Sequence, residues 1–157
     1  MKKSILIVLG CTMFIAFSTH AQDLPYKAGY SSNFKLGSHD WSKMVLSLYK
    51  DYEKNDFQTH RAWFSDTATA VLPNGQVVRG IDEVINYFQK DRQTNGDVTF
   101  TMDAIIPLTS VDRKENWVAL WGTSQTQQGK QEFQAIWRIN KDKKVDFMKF
   151  YSAQASQ

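Results

Sequence analysis

The chain has 157 residues, of which 42% are hydrophobic and 13% aromatic, and its formal net charge is +3. This length predicts one domain, and a single cysteine, Cys11, excludes a disulfide framework. Lys2 and Lys3 lie in a predicted leader, and without them 17 basic residues face 16 acidic ones, a net charge of +1. That balance, together with the lack of a Lys/Arg cluster, argues against a nucleic-acid partner.

Residues 1–21 have the layout of a secretory signal peptide. A basic start precedes the apolar run Ser4–Phe17, and Thr19-His20-Ala21 supplies small residues for cleavage. The run is shorter than the roughly 20 apolar residues that span a bilayer. We therefore predict cleavage after Ala21, export to the periplasm or the extracellular space, and no membrane attachment of the mature chain. Lipidation at Cys11 is the alternative, but the apolar run continues past Cys11, where a lipobox would normally end it.

Three amphipathic helices are predicted after a polar lead-in of residues 22–38, within a domain of residues 39–155. In the first helix, apolar side chains recur at helical spacing: Trp41, Met44, Val45, Leu48 and Tyr52. A second, short helix is predicted from side chains along one side: Phe57, His60, Arg61 and Phe64. A third has its apolar stripe just after Gly80: Ile81, Val84, Ile85 and Phe88.

Strand patterns fill the remaining chain. Asn74-Gly75 lies between two β-prone runs ahead of the third helix and predicts a tight hairpin, because both central positions need positive φ. From Val98 to Tyr151, four long segments with strand patterns alternate with turns. One of them contains Trp117–Trp121, which is apolar on both faces and therefore predicts a central strand.

Three stretches and the closing hairpin follow a pattern known from one superfamily. The stretches are Phe64-Ser65-Asp66-Thr67-Ala68-Thr69, Pro73-Asn74-Gly75 and Gly80-Ile81-Asp82-Glu83-Val84, and the hairpin spans residues 136–147. Over roughly residues 40–152 the chain resembles the nuclear transport factor 2-like (NTF2-like) superfamily, which includes SnoaL-like proteins and ketosteroid isomerase. With its leader, its GYSSNF lead-in and its WRIN strand, it further resembles exported, uncharacterised SnoaL-like proteins of Bacteroidetes-type bacteria.

The resemblance implies an α+β domain of conical shape. Three N-terminal helices would pack on a strongly curved, mostly antiparallel sheet and leave a cavity. Members of the superfamily use this cavity for catalysis, for small-molecule binding or for protein partners, and many form homodimers through the outer sheet face. Such motifs specify a fold rather than a chemistry.

The catalytic pattern of ketosteroid isomerase is not retained. The resemblance places its general base at Leu72 and its oxyanion-hole aspartate at Ala135, and neither side chain can exchange a proton. Its oxyanion-hole tyrosine falls near Leu48, one residue from Tyr49. His60 is instead the candidate catalytic residue, because a histidine side chain, whose unperturbed pKa is about 6.5, can act as an acid or a base. The alternative is a partly buried histidine bonded to a backbone carbonyl.

An aromatic-lined pocket is the candidate binding site, since aromatic walls suit a flat apolar ligand. Its predicted aromatic residues are Trp63, Tyr87, Trp117, Trp121, Phe133, Trp137, Phe147 and Tyr151. Asp66 and Asp103 are candidate pocket carboxylates, although a turn at Asp66 or strand alternation at Asp103 would place them in solvent. Ordinary packing in the core or at a dimer interface is the alternative for the aromatic residues.

These features predict a binding domain or accessory interaction module for a small apolar molecule. One alternative is a cyclase, isomerase or lyase that acts on such a molecule by acid–base chemistry, and another is a structural homodimer with a filled pocket. We predict no metal, because His39, His60 and the scattered carboxylates lack ligand spacing. We also predict no cofactor, since the sequence has no Gly-rich phosphate loop, and it has no G-x-S-x-G motif for a serine nucleophile.

Overall fold

The computed structural model describes residues 26–152, which form one seven-stranded sheet and two helices. The helices are α1 (His39–Lys54) and α2 (Ile81–Asn95). The strands are β1 (Phe34–Leu36), β2 (Phe64–Val71), β3 (Val77–Arg79), β4 (Thr99–Ser110), β5 (Glu115–Thr126), β6 (Gly129–Ile139) and β7 (Val145–Ser152). The predicted signal peptide and Cys11 lie outside the described residues.

The sheet is mixed and curved, with the strand order β1-β4-β5-β6-β7-β2-β3. Every neighbouring pair is antiparallel except β2 and β7, which run parallel. Register shifts between Met102 and Ala104 and between Arg138 and Ile139 mark bulges in the long strands. Bulges bend a strand and increase its twist, so they help the sheet to wrap around the helices. The predicted α+β class with a mostly antiparallel sheet is confirmed.

Two of the three predicted helices form. The Ser38 hydroxyl caps α1 by accepting a hydrogen bond from the Asp40 N–H at 3.2 Å, and Asn55 ends α1 in the left-handed region at φ 55°. The apolar stripe of α1 packs on the sheet through Val45, Leu48 and Tyr49, which are buried, as are Ile81, Val84 and Ile85 of α2.

The predicted second helix is wrong: the segment contains only a single 3₁₀ turn, Arg61–Trp63. The Asp56 carboxylate accepts hydrogen bonds from the backbone N–H groups of Gln58 and Thr59, each at 3.2 Å, and so stabilises a local turn instead. Phe64 is already extended, with φ −93° and ψ 149°, because it begins β2. The segment between the Asp56 turn and the start of β2 is too short for its helical hydrogen bonds to offset the cost of helix nucleation.

The hairpin at Asn74-Gly75 is confirmed between β2 and β3. Leu72 N–H donates to the Gln76 carbonyl at 2.9 Å, and the Asn74 side-chain oxygen accepts from the Gln76 N–H at 2.9 Å. Gly75 alone adopts positive φ there, at 84°, rather than both central residues. The side-chain hydrogen bond of Asn74 closes the turn in place of a second left-handed residue.

The described part of the polar lead-in docks on the sheet. β1 pairs with the edge of β4, and the Asn33 carbonyl accepts a hydrogen bond from the Val111 N–H at 2.9 Å. The Tyr30 ring meets Trp117 edge-on at 5.3 Å between centroids, and the Arg113 guanidinium lies 4.1 Å from the Tyr30 centroid. The lead-in therefore covers one end of the outer sheet face.

Candidate functional site

A cavity of about 950 Å³ lies between the two helices and the inner face of the sheet. Its wall is rich in aromatic side chains. The helices supply Tyr49, Tyr52, Tyr87 and Phe88, and the strands supply Phe100, Phe133, Trp137 and Phe150. Leu48, Val84 and Ile85 add aliphatic surface. The inner stripes of both helices and the inward positions of the strands thus form one continuous apolar wall.

One end of the cavity is built around Tyr49. Its ring meets Phe100 edge-on at 4.9 Å and lies 5.7 Å from the rings of both Phe133 and Trp137. The Tyr49 hydroxyl and the Trp137 indole nitrogen are covered by neighbouring atoms and have no hydrogen-bond partner within residues 26–152. Burial raises the pKa of Tyr49 far above its ordinary value. This end therefore presents ring carbon to an occupant.

The other end carries a polar group centred on Asp91. The Tyr52 hydroxyl donates a hydrogen bond to Asp91 Oδ2, and Asn95 Nδ2 donates one to Asp91 Oδ1 at 3.1 Å. Burial, and then the Asp91 carboxylate, raise the pKa of Tyr52 above its usual range. The same two causes raise the pKa of Tyr87. Both hydroxyls therefore keep their protons at neutral pH.

Sequence reasoning missed Asp91, Asn95 and Tyr52 as site residues. A signal existed, because Asp91 and Asn95 lie seven and eleven residues after Val84 and so continue the inward stripe of α2. Polar residues on the inward stripe of a helix indicate a solvated or functional part of that face. Their partner Tyr52 is 39 residues before Asp91 in the chain, so only the folded structure reveals the contact.

Three of the predicted aromatic pocket residues have their side chains in the cavity wall: Tyr87, Phe133 and Trp137. Tyr151 borders the cavity near the end of β7, but its pairing with Gln134, which in turn pairs with Trp121, places its side chain on the outer sheet face. Three others, Trp117, Trp121 and Phe147, lie on the outer sheet face instead. Val118 and Leu120 are fully buried, and side chains alternate along a strand, so the tryptophans on either side of them point away from the cavity.

Trp63 also lies outside the cavity wall, where its ring packs on His60 with 3.8 Å between centroids. The two predicted carboxylates, Asp66 and Asp103, are exposed and outside the wall. Asp103 is the extra residue of the bulge between Met102 and Ala104, which explains its exposure.

His60 is not in the wall of the cavity. It lines a second, smaller pocket of about 340 Å³, where its Nδ1 lies 2.6 Å from Asp51 Oδ2. Asp51 borders both the cavity and this pocket, as do Tyr49 and Phe100. The imidazole is thus held by a side-chain carboxylate rather than by a backbone carbonyl, and its catalytic role stays a prediction.

The positions that would carry ketosteroid isomerase chemistry are apolar. Leu72 and Leu48 lie in the cavity wall, and Ala135 is fully buried. Within residues 26–152, no three His, Cys, Asp or Glu side chains are grouped closely enough to hold a metal ion. Neither α1 nor α2 combines the length and the apolar character that crossing a bilayer requires.

No protein-family model matches the sequence, and no curated protein matches it significantly. Among solved structures, an NTF2-like protein of unknown function from Exiguobacterium sp. 255-15 is 23% identical, with a TM-score of 0.53 over 71% of this chain and 98% of that one. A Streptomyces avermitilis protein, named provisionally as a dehydratase from the NTF2-like family, is 17% identical, with a TM-score of 0.60 over 73% of this chain and 94% of that one.

The Orange Carotenoid Protein of Anabaena (Nostoc) sp. PCC 7120, solved binding canthaxanthin, is also similar in structure. It is 17% identical, with a TM-score of 0.60 over 68% of this chain. The match covers 35% of that protein, so this chain corresponds to about a third of its length. The curved mixed sheet, the cavity between sheet and helices and these matches lead to one conclusion, which is that the chain has the NTF2-like fold.

Proposed function

We propose that this chain is an exported, SnoaL-like binding domain that holds a small, largely apolar molecule. The observation that carries the proposal is the aromatic-walled cavity of about 950 Å³. Ligand sites in proteins commonly measure roughly 300–1,000 Å³ and combine apolar walls with a few polar groups. The cavity has this composition, because most of its wall is aromatic and aliphatic, and the polar residues are Asp51, Asp91 and Asn95 of the helices and a group at strand ends and the β5–β6 turn: Ser124, Thr126, Gln128, Lys130, Gln131 and Ser152.

Two further observations support the proposal. A structurally similar region of the Orange Carotenoid Protein belongs to a protein solved with a large apolar ligand, canthaxanthin. The open cavity also argues against the alternative of a structural protein whose pocket is filled by its own tryptophan or phenylalanine side chains. Export rests on the leader pattern of residues 1–21.

Blocking the cavity tests the proposal. Ser124 lies in the wall near the end of β5, and the next residue towards the start of the strand, Thr123, points to the opposite face. We expect Ser124→Trp to fill the cavity mouth and to abolish saturable binding of the neutral apolar dye Nile red. Thr123→Trp, the matched control, should bind the dye as the wild type does. Native mass spectrometry of both variants from the exported fraction would show whether Thr123→Trp retains a bound cellular compound that Ser124→Trp has lost.

Equal dye binding by Ser124→Trp and Thr123→Trp, or no saturable binding by the wild type, would contradict a ligand in this cavity. Circular dichroism and the urea midpoint of each variant would confirm that the comparison is made between folded proteins.

We also infer that the domain forms a homodimer through its outer sheet face. Large apolar side chains stay exposed there on neighbouring strands, with Ile106 and Trp121 each 37% exposed and Tyr151 42% exposed. Trp121 and Tyr151 flank Gln134 in one row across β5, β6 and β7. Exposed apolar patches of this kind commonly mark interaction sites.

A charge placed in this face should separate the subunits. We expect sedimentation to give a dimer for the wild type and a monomer for Trp121→Asp, because burying an unpaired carboxylate in an interface is costly. Lys90→Asp, which changes an exposed residue of α2, should remain dimeric. A monomeric wild type at the highest measurable concentration would refute the dimer without affecting the binding proposal.

A further inference from the structure

We propose that the cavity selects an organic cation, a protonated amine on an apolar body, and places its ammonium group at Asp91. This inference rests on the proposed binding function and names the chemical class of the ligand. The hydrogen-bond polarity of the Asp91 group, the aromatic rings around it and the other charges of the wall favour such a cation.

Asp91 and the Tyr52 hydroxyl offer hydrogen-bond acceptors to an occupant of the cavity. Tyr52 has one hydroxyl proton, and that proton is directed to Asp91 Oδ2, so only lone pairs of the Tyr52 oxygen are left for an occupant. Asn95 occupies one position on Asp91 Oδ1 at 3.1 Å. A carboxylate has about four lone-pair positions, so Asp91 keeps acceptor capacity after both of these bonds. An occupant that satisfies this group must therefore donate hydrogen bonds.

Aromatic rings surround this acceptor group. The Tyr52 ring lies 5.6 Å from Phe57, 6.1 Å from Phe88 and 5.7 Å from Phe100, and all four rings belong to the cavity wall. Ammonium groups are attracted to aromatic rings within about 6 Å. Rings also exclude water, and charge–charge attraction grows as the effective dielectric constant falls. Carboxylate and rings together favour a cation over a neutral hydroxyl group.

The other charged groups near the cavity leave Asp91 available. Asp91 makes no ion pair within residues 26–152, and its neighbour Arg92 directs its guanidinium to Asp97 and to backbone carbonyls of α1. Asp51, the second carboxylate of the wall, is bonded to His60. Lys130, the one cation among the described wall residues, is exposed at the start of β6, where water screens its charge.

Three probes with one ring system and different head groups test the inference. Naphthylmethylamine is cationic at neutral pH, naphthalenemethanol is a neutral donor, and naphthylacetic acid is anionic. By isothermal titration calorimetry we expect the wild type to bind the amine at least about tenfold more tightly than the alcohol, with the acid weakest, as an added charge contact of moderate strength would give.

Asp91→Asn is the informative variant, because it removes the charge while retaining the size of the side chain and an acceptor for Tyr52. We expect the amine-to-alcohol affinity ratio to fall by about tenfold, to near unity. Asp103→Asn, which removes an exposed carboxylate outside the cavity, should keep the wild-type ratio. A second readout needs no variant. The preference for the amine should disappear as the pH rises through the pKa of the amine, because the amine then loses its charge. Tyr52 does not contribute to this change, because its raised pKa keeps its hydroxyl protonated in that range.

The outcomes separate this inference from the proposed function. If all three probes bind the wild type equally, or if Asp91→Asn keeps the amine preference, the cation inference is wrong and the binding cavity stands. If no probe binds the wild type, the proposed function fails and the cation inference fails with it.

Discussion

Gly122→Ala should destabilise the domain by about 3 kcal/mol or more, because the added methyl group would overlap backbone atoms that cannot move independently. A Cβ at position 122 would lie 2.3 Å from the Thr101 carbonyl oxygen and 3.3 Å from Met102 Cα. Gly122 pairs with Met102 directly beside the bulge of β4, where the two strands approach closely. Elsewhere in a strand the same change would stabilise by about 0.5–1 kcal/mol, so a large loss isolates the steric effect.

The change should also disturb the cavity. The same Cβ would lie 3.2 Å from Phe133 Cζ, and Phe133 is part of the cavity wall against Tyr49. Urea denaturation would give the loss of stability, and Nile red titration would give the loss of binding. Gly29→Ala is the control, because nothing lies within 4 Å of its added Cβ. A stability of Gly122→Ala within error of the wild type would show that β4 and β5 are further apart than the 2.3 Å and 3.3 Å contacts require.

Arg92→Met should lower the free energy of unfolding by about 2–4 kcal/mol, because several charge-assisted hydrogen bonds disappear together. Arg92 is 9% exposed, and its guanidinium donates to the carbonyls of Tyr52 at 3.2 Å and Glu53 at 3.1 Å and also to the Gly96 carbonyl. The Tyr52 and Glu53 carbonyls lie in the last turn of α1, so the Arg92 cation also faces the negative end of the helix dipole. Arg92 thereby joins the end of α1 to α2.

The matched control for this prediction is Lys90→Met, which removes an exposed cation from the same helix. Arg92→Lys should be intermediate, because a single ammonium keeps the charge but cannot reach carbonyls in three places. Urea midpoints would rank the three variants. If Arg92→Met were as stable as Lys90→Met, the guanidinium would contribute nothing to holding the helices together.

Position 92 also matters for the proposed site. Arg92 stands next to Asp91 on α2 and contacts the Tyr52 backbone, so it keeps the two partners of the polar group close together. Arg92→Met is therefore expected to weaken the amine preference as well as stability. The exposed Lys90 control should change neither.

Local patterns were enough to predict α1, α2, the hairpin at Asn74-Gly75 and the four long strands. Each of these depends on residues that are close in the chain: a stripe at helical period, a capping side chain, or alternation along a strand. The predicted second helix was wrong because a local pattern does not show how much room the neighbouring elements leave. Its stripe was as regular as the others, but the Asp56 turn and the early start of β2 left it no room.

The sequence alone could not predict which face of the sheet lines the cavity. β5 is apolar on both sides, so alternation separates Trp117 and Trp121 from Val118 and Leu120 without saying which set faces the helices. Tertiary contacts decide this, because Val118 and Leu120 belong to one buried core with residues of both helices. On β5, Trp117 and Trp121 therefore lie on the outer face.

The sequence alone thus specified an α+β class, the order of most elements and a chain rich in aromatic side chains, since these depend on periodicity and composition. Tertiary structure alone determined the chemistry of the cavity. The Tyr52–Asp91 pair joins residues 39 positions apart, and the Asp51–His60 pair depends on how α1 meets the turn that follows it. Such pairings arise from helix and sheet packing over long chain separations, which leave no periodic trace in the order of the residues.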